Sequence, residues 1–341
     1  MFAEAIENIL QDHCTPAAVR AIEAGASAAP LAATLEESGF HALLASEEQG
    51  GGNASWPDFH RVVELCGAYA LPLPLPQTMA ARALVHAPEA LPPGLITFAP
   101  HLARRADGRL HAALVPAGRN ADFVLAETDS GLLLLPTREA SQQADGVHGS
   151  LVTSFSWAPD AGTRLEARVG PGRLQALAAA LHAALLAGAM KRVFDMTMEY
   201  ANDRVQFGKP IGSFQAVKHH LADVAVKAEF AEPVIHRAAY AVANDWPQRA
   251  TFVSQAKLMA GEAARLSARH SIQVHGAMGY TWEADLQMFV KRAWALDCAY
   301  GDSIFHKQRV AGQVLGVDAR LGPGESFAGG IERPMKGIQY G

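Results

Sequence analysis

The chain has no uninterrupted apolar run of the ~20 residues that cross a bilayer. The nearest approach, the Ala-rich stretch Leu174–Met190, is punctuated by Gln175 and His182 and reads as a buried bundle helix. Cysteine is scarce: Cys14, Cys66 and Cys298 are the only three. They are far apart and lack metal-ligand spacing, which excludes a disulfide framework or zinc ribbon and leaves buried thiols in a reducing compartment. No excess of positive charge is present, 29 Lys+Arg against 34 Asp+Glu, so neither nucleic acid nor an anionic membrane is an expected partner. No G-x-G-x-x-G follows a strand, which removes a nicotinamide-binding Rossmann site. The acidic, amphipathic opening MFAEAIENILQ is unlike a secretory signal, and a cytoplasmic chain is expected.

What is present suffices for two or three domains, since half of the 341 residues are hydrophobic. Residues 1–92 read as a helical domain. Phe2, Ile6, Ile9 and Leu10 recur at helical spacing, as do Leu31, Leu35 and the Phe40–Leu44 cluster. The prolines of LPLPLPQT (71–78) predict an extended surface segment before a short helix at Met79–Val85. Residues 93–170 carry short apolar runs between turn signals, a small antiparallel β domain with a hairpin turn at 128–131. Residues 171–341 return to helical periodicity. They predict a four-helix bundle whose fourth helix runs from 284 through Leu315, followed by an extended Gly- and Pro-rich tail. The fold class is therefore mainly α with a small middle β domain.

The most informative stretch is RVQFGKPIGSFQAVKHH, residues 204–220. Arg204 closes one long helical pattern, and Gly208, Pro210 and Gly212 break it. Ser213 is placed to cap the next helix, from about Phe214. An arginine, the Phe207 ring and a helix N-terminus together suit an anionic, partly aromatic ligand. An ordinary helical turn with a surface arginine fits the same letters.

The order of the letters resembles the acyl-CoA dehydrogenase family. A second stretch, QVHGAMGYTWEADLQMFVKR (273–292), resembles that family's second signature, and LEESGFHALLASEEQGGGNASWPDF resembles its N-terminal helix, loop and acidic-Gly turn. The resemblance implies an N-terminal helical domain, a β-barrel, here truncated, and a C-terminal bundle. It implies FAD as cofactor, a CoA thioester as substrate and an electron-transfer flavoprotein as acceptor. It also implies flavin at a subunit interface, hence a homodimer, homotetramer or heterotetramer. By the same resemblance Arg204 would hold the pyrophosphate, with Phe207 and Ile211 flanking the adenine. Gln206, Phe214 and Gln215 would share that site. Gln273, Val274, His275, Gly276 and Ala277 would meet the phosphate and adenosine end, and Gly279 would allow a tight turn. Asp302 and Ser303 would match a flavin-contacting pair. The family's usual Gly-Gly is Gly276-Ala277 here, and its Thr-rich flavin-contacting strand is missing.

The family's base, a glutamate, is missing too. Its commonest position falls on Tyr300 and its alternative near Ala178. Asp302 is the nearest carboxylate, better suited to capping the last helix, and Glu283 is expected to pair with a neighbouring helix. No pair among the fourteen histidines has an i, i+4 partner with a carboxylate as third ligand, so no metal is expected. Two classes follow. One is a dehydrogenase subunit resembling the partner subunits of heterotetrameric bacterial family members of steroid or side-chain degradation. The other is a non-catalytic paralogue that keeps the fold.

Overall fold

The computed structural model describes residues 2–85, 91–128, 131–146, 150–166 and 172–315. Five helices come first: α1 (Phe2–His13), α2 (Pro16–Glu23), α3 (Ala29–Glu37), α4 (Trp56–Ala68) and α5 (Leu75–Leu84). Their starts are written locally. Thr15 Oγ1 accepts the Ala18 N–H ahead of α2, and Ser55 Oγ accepts the Asp58 N–H ahead of α4. Each cap is followed by a proline in the first turn, where no N–H is needed. The LPLPLP run departs from expectation. It is buried rather than superficial, and α5 begins inside it at Leu75, with Pro76 in the first turn. A first-turn proline costs no hydrogen bond, and six apolar side chains in a row gain more from the core than from the surface.

The β region holds two four-stranded sheets. The first has the order β1 (Ile96–Ala99), β4 (Phe123–Thr128), β5 (Gly131–Pro136), β8 (Thr163–Leu165). The second has the order β2 (Ala103–Arg104), β3 (Leu110–Val115), β7 (Thr153–Trp157), β6 (Ser141–Ala144). Pairing is antiparallel except between β1 and β4, which run parallel. The chain leaves β1 to build β2 and β3 in the other sheet and returns in the original direction. β4 pairs antiparallel with β5 from Phe123↔Pro136 to Thr128↔Gly131, and the turn between them lies outside the described residues. Along β4, Val124 and Ala126 face a core shared with Phe155 and Trp157, while Leu125 faces the helices. A sheet covered on both faces explains why GLLLLP reads as a continuous apolar run rather than an alternation.

The long helix α6 (Arg173–Asp203) is apolar and long enough to span a membrane, yet 78% of its most apolar window is buried inside the protein. Around it pack α7 (Gln215–Ala243), α8 (Arg249–His275) and α9 (Leu286–Cys298), and α10 (Ser303–Leu315) packs on α8. The expected fourth helix is thus two helices. Tyr300 (φ 57°) and Gly301 (φ 107°) take left-handed conformations that a helix cannot contain. The Lys257 ammonium, buried, donates to the carbonyls of Leu296, Asp297 and Ala299 at 2.8–3.0 Å and satisfies the end of α9. The predicted tail lies outside the described residues. Helices α4 and α6 cross at two glycines. A Cβ on Gly67 would stand 2.0 Å from the Leu185 carbonyl oxygen, and one on Gly188 would stand 1.8 Å from that of Glu64.

Candidate functional site

The stretch after α6 forms a two-residue hairpin. β9 (Val205–Gln206) pairs with β10 (Lys209–Pro210) around Phe207 and Gly208, which have φ of 52° and 77°. Positive φ at both central residues matches the right-handed strand twist and ordinarily selects Asn-Gly. A phenylalanine there is a strained choice, of order 1–3 kcal/mol. Phe207 is 93% exposed, and its ring meets Phe214 edge-on, centroids 6.1 Å apart. The Lys209 ammonium sits 4.4 Å over the Phe214 ring. The Ile211 N–H donates to the Arg204 carbonyl at 2.8 Å and closes the turn. The Arg204 side chain is exposed and has no ion pair or hydrogen bond among the described residues. Ser213 does not cap α7. Its hydroxyl donates to the Pro210 carbonyl, and the helix starts at Gln215 with no side-chain cap. The N–H groups of that first turn are left for another partner.

The end of α8 lies beside this hairpin. His275 is buried, its Nδ1 2.8 Å from the Ser271 carbonyl, and burial pushes its pKa below the usual imidazole value. The Tyr200 ring, on α6 one turn before Arg204, stacks on His275 at 4.2 Å. Val274, Ile211 and Tyr200 share one small apolar cluster. Gly276 supplies the left-handed turn (φ 60°), whereas Gly279 is needed for proximity. A Cβ there would approach Ile272 Cα and O at 3.1 Å. Gln273, Gly276 and Ala277 are exposed, as are Gln206 and Gln215. The structure therefore gathers Arg204–Gln215 and Gln273–Ala277 at one end of the bundle. Asp302 and Ser303 stand apart from that cluster, at the start of α10. Asp302 Oδ1 accepts the Phe305 N–H at 2.9 Å as that helix's cap. Glu283 is exposed with no partner among the described residues, and its neighbour Asp285 instead pairs with Arg20 at 2.7 Å.

Tyr300 is a tie between domains. Its hydroxyl donates to the Phe98 carbonyl of β1 at 2.9 Å, and its own carbonyl accepts from Gln175 at 2.8 Å. His182 packs edge-on against its ring at 4.5 Å. Burial raises the phenol pKa above its ordinary value, so it stays a neutral donor. Ala178, the alternative base position, is wholly buried. A cavity of about 70 Å³ lies where α4, the β region, α6 and α9 meet. Among the described residues its titratable lining is Cys66, His182 and Arg292, with no carboxylate. Burial and the Lys257 charge push the His182 pKa down to about 3, so it too is neutral. That volume is well below the roughly 300–1,000 Å³ of a cofactor pocket.

A profile described as acyl-CoA dehydrogenase, C-terminal domain, matches residues 176–315. The acyl-CoA dehydrogenase IpdE2 of Mycolicibacterium smegmatis is 31% identical over 306 residues, covering 86% of this chain and 91% of that protein. The chain belongs to the acyl-CoA dehydrogenase family. The IpdE2 of Mycobacterium tuberculosis is 35% identical over 312 residues, covering 86% of this chain and 90% of that one. Among solved structures, the ChsE4–ChsE5 complex from Mycobacterium tuberculosis superposes with a TM-score of 0.78 at 24% identity, covering 93% of this chain and 97% of the other. The mainly helical fold with a small sheet region is that of the family.

Members of this family use FAD, and the residues here divide in their fit to it. The exposed Arg204, Phe207 and Gln273, with the uncapped start of α7, suit the phosphates and adenine of such a cofactor. The interior junction suits a flavin ring poorly, because its cavity of about 70 Å³ is too small for the ring. One further cluster escaped the sequence reading. His60 and Glu64 sit one turn apart on α4, and His236 of α7 reaches the same carboxylate. The H-x-x-x-E spacing of His60 and Glu64 was the cluster's one signal in the sequence.

Proposed function

We propose that this chain is the non-base subunit of an FAD-dependent acyl-CoA dehydrogenase, acting on a CoA thioester. It would complete a flavin site across a subunit interface while a partner chain supplies the carboxylate that removes the α-proton. FAD, when bound, supplies the acceptor for the β-hydride. Arg204 would hold the pyrophosphate by a bidentate contact, Phe207 and Ile211 would flank the adenine, and Gln273 would face the phosphate and adenosine end. The buried, neutral His275 fixes the end of α8 through Ser271 and Tyr200, and so sets where Gln273 points.

The observation that carries this reading is the contrast between two places. Tyr300 occupies the base position with its hydroxyl committed to Phe98, while the Arg204 side chain is exposed with no partner among the described residues and Phe207 is exposed, touching Phe214 edge-on. That a relative by fold is a complex of two such chains supports a heteromeric assembly. A steroid-derived or other bulky acyl group is the substrate class that the bacterial partner-subunit resemblance favours. A flavin-free paralogue accounts for Tyr300 equally well but leaves a strained, exposed phenylalanine unexplained.

The test is acyl-CoA-dependent dye reduction by the pure homomer and by the chain co-assembled with a base-bearing family member. The homomer is expected to be slower by roughly 10²–10⁴-fold, the usual worth of a general base. Comparable turnover by the homomer would overturn the proposal.

A further inference from the structure

We infer that His60, Glu64 and His236 form a binding site for one zinc-type divalent metal ion, joining α4 of the N-terminal domain to α7 of the bundle. The candidate donor atoms of all three residues lie within 4.8 Å of one another. His60 Nε2 is 3.4 Å and His236 Nε2 3.6 Å from the same Glu64 Oε1. Donors at ~2.0–2.1 Å from a tetrahedral zinc are roughly 3.3–3.4 Å apart. The two measured edges are therefore near those of a coordination tetrahedron, and a small rotation of the half-exposed His236 closes the second. The imidazole rings meet edge to face at 4.4 Å, converging on the carboxylate.

A second observation points to a ligand. His60 is only 7% exposed, and its Nε2 has no hydrogen-bond partner among the described residues. A buried imidazole nitrogen aimed at a carboxylate oxygen without bonding it is poised for a third atom between them. Glu64 is held for this: Arg61 takes its other oxygen, Oε2, at 3.1 Å, leaving Oε1 to the histidines. Two imidazoles and one carboxylate make the borderline nitrogen–oxygen set that suits zinc, with cobalt and nickel as stand-ins. Three protein ligands leave a fourth position. It faces the solvent side, where Glu232 Oε1 is 3.9 Å from His236 Nε2 and a cleft of about 430 Å³ is lined by Arg61, Glu64 and Glu232. Water or Glu232 completes the shell there, and the cleft is the entry path. The alternative occupant of the gap is a proton shared within a His–Glu–His cluster.

The experiment titrates the full chain, freed of metal by a chelator, with Co²⁺, following the visible d–d band of tetrahedral cobalt, then displaces it with Zn²⁺ in a calorimeter. The expected result is one ion per chain. His236→Ala, a change at an exposed residue, and Glu64→Gln, which keeps shape, each weaken binding on the order of 100-fold or more, the loss seen even for outer-shell partners. His13→Ala on the α1 surface leaves binding unchanged. Absence of the tetrahedral band, or equal affinity in wild type and His236→Ala, would overturn the inference and leave the proton-linked cluster.

Discussion

Replacing Tyr300 with phenylalanine separates a structural tie from a catalytic base. The change deletes one oxygen and keeps the ring against His182. The Phe98 carbonyl, on a wholly buried residue, loses its donor from the bundle. Leaving a buried acceptor unpaired costs about 1–3 kcal/mol. Urea denaturation of the purified chain measures it, and the slope should be unchanged because the buried surface is the same. Turnover per bound flavin in the complete assembly should change less than about threefold, since a neutral phenol with a raised pKa takes no proton near pH 7. Unchanged stability together with a loss of 10² or more in turnover would refute the reasoning and make Tyr300 the base.

Three other outcomes follow from the geometry. Arg204→Ala should leave the urea midpoint within about 0.5 kcal/mol, as an exposed substitution does, yet lower flavin retained per assembly on gel filtration; unaltered retention would remove Arg204 from the cofactor site. Gly188→Ala should cost about 3 kcal/mol or more, because its methyl would overlap the Glu64 carbonyl; a thermal melt within a degree of wild type would mean that the α4–α6 crossing can relax. Acidification should destabilise the fold. His182 and His306 are held neutral by burial with pKa values near 3. The unfolded chain therefore binds protons more readily below pH 6.5, and stability falls as pH drops from 6.5 toward 3. His236, raised by its bond to Glu64, acts in the opposite sense and offsets part of it. A net loss of roughly 2–4 kcal/mol between pH 7 and 5 is expected in urea titrations, and a flat profile would contradict it.

The helical periodicity of the bundle and the breakers at Gly208, Pro210 and Gly212 were legible because each acts through its own neighbours in sequence. Local chemistry also gave Asp302 its capping role at α10, whereas the cap expected at Ser213 turned back to the Pro210 carbonyl. What the letters concealed depends on distant partners. The LPLPLP run is buried because the β region and α6 cover it. β1 and β4 are parallel because the intervening strands join another sheet. Tyr300 breaks the last helical pattern through a left-handed backbone supported by contacts to Phe98 and Gln175, far away in the chain. Phe207 is legible as an aromatic but not as one held at positive φ. The site residues around Arg204 were reached by resemblance. The convergence of His60 and Glu64 on His236 required the packing of α4 on α7.

The central claim is that this chain contributes to a flavin site without forming one alone. The visible absorption spectrum of the protein purified by itself, and again with a co-expressed base-bearing family member, with flavin quantified per chain, tests it most directly. The account predicts a colourless homomer and a yellow heteromer carrying bound FAD. A homomer with a full flavin complement would contradict it.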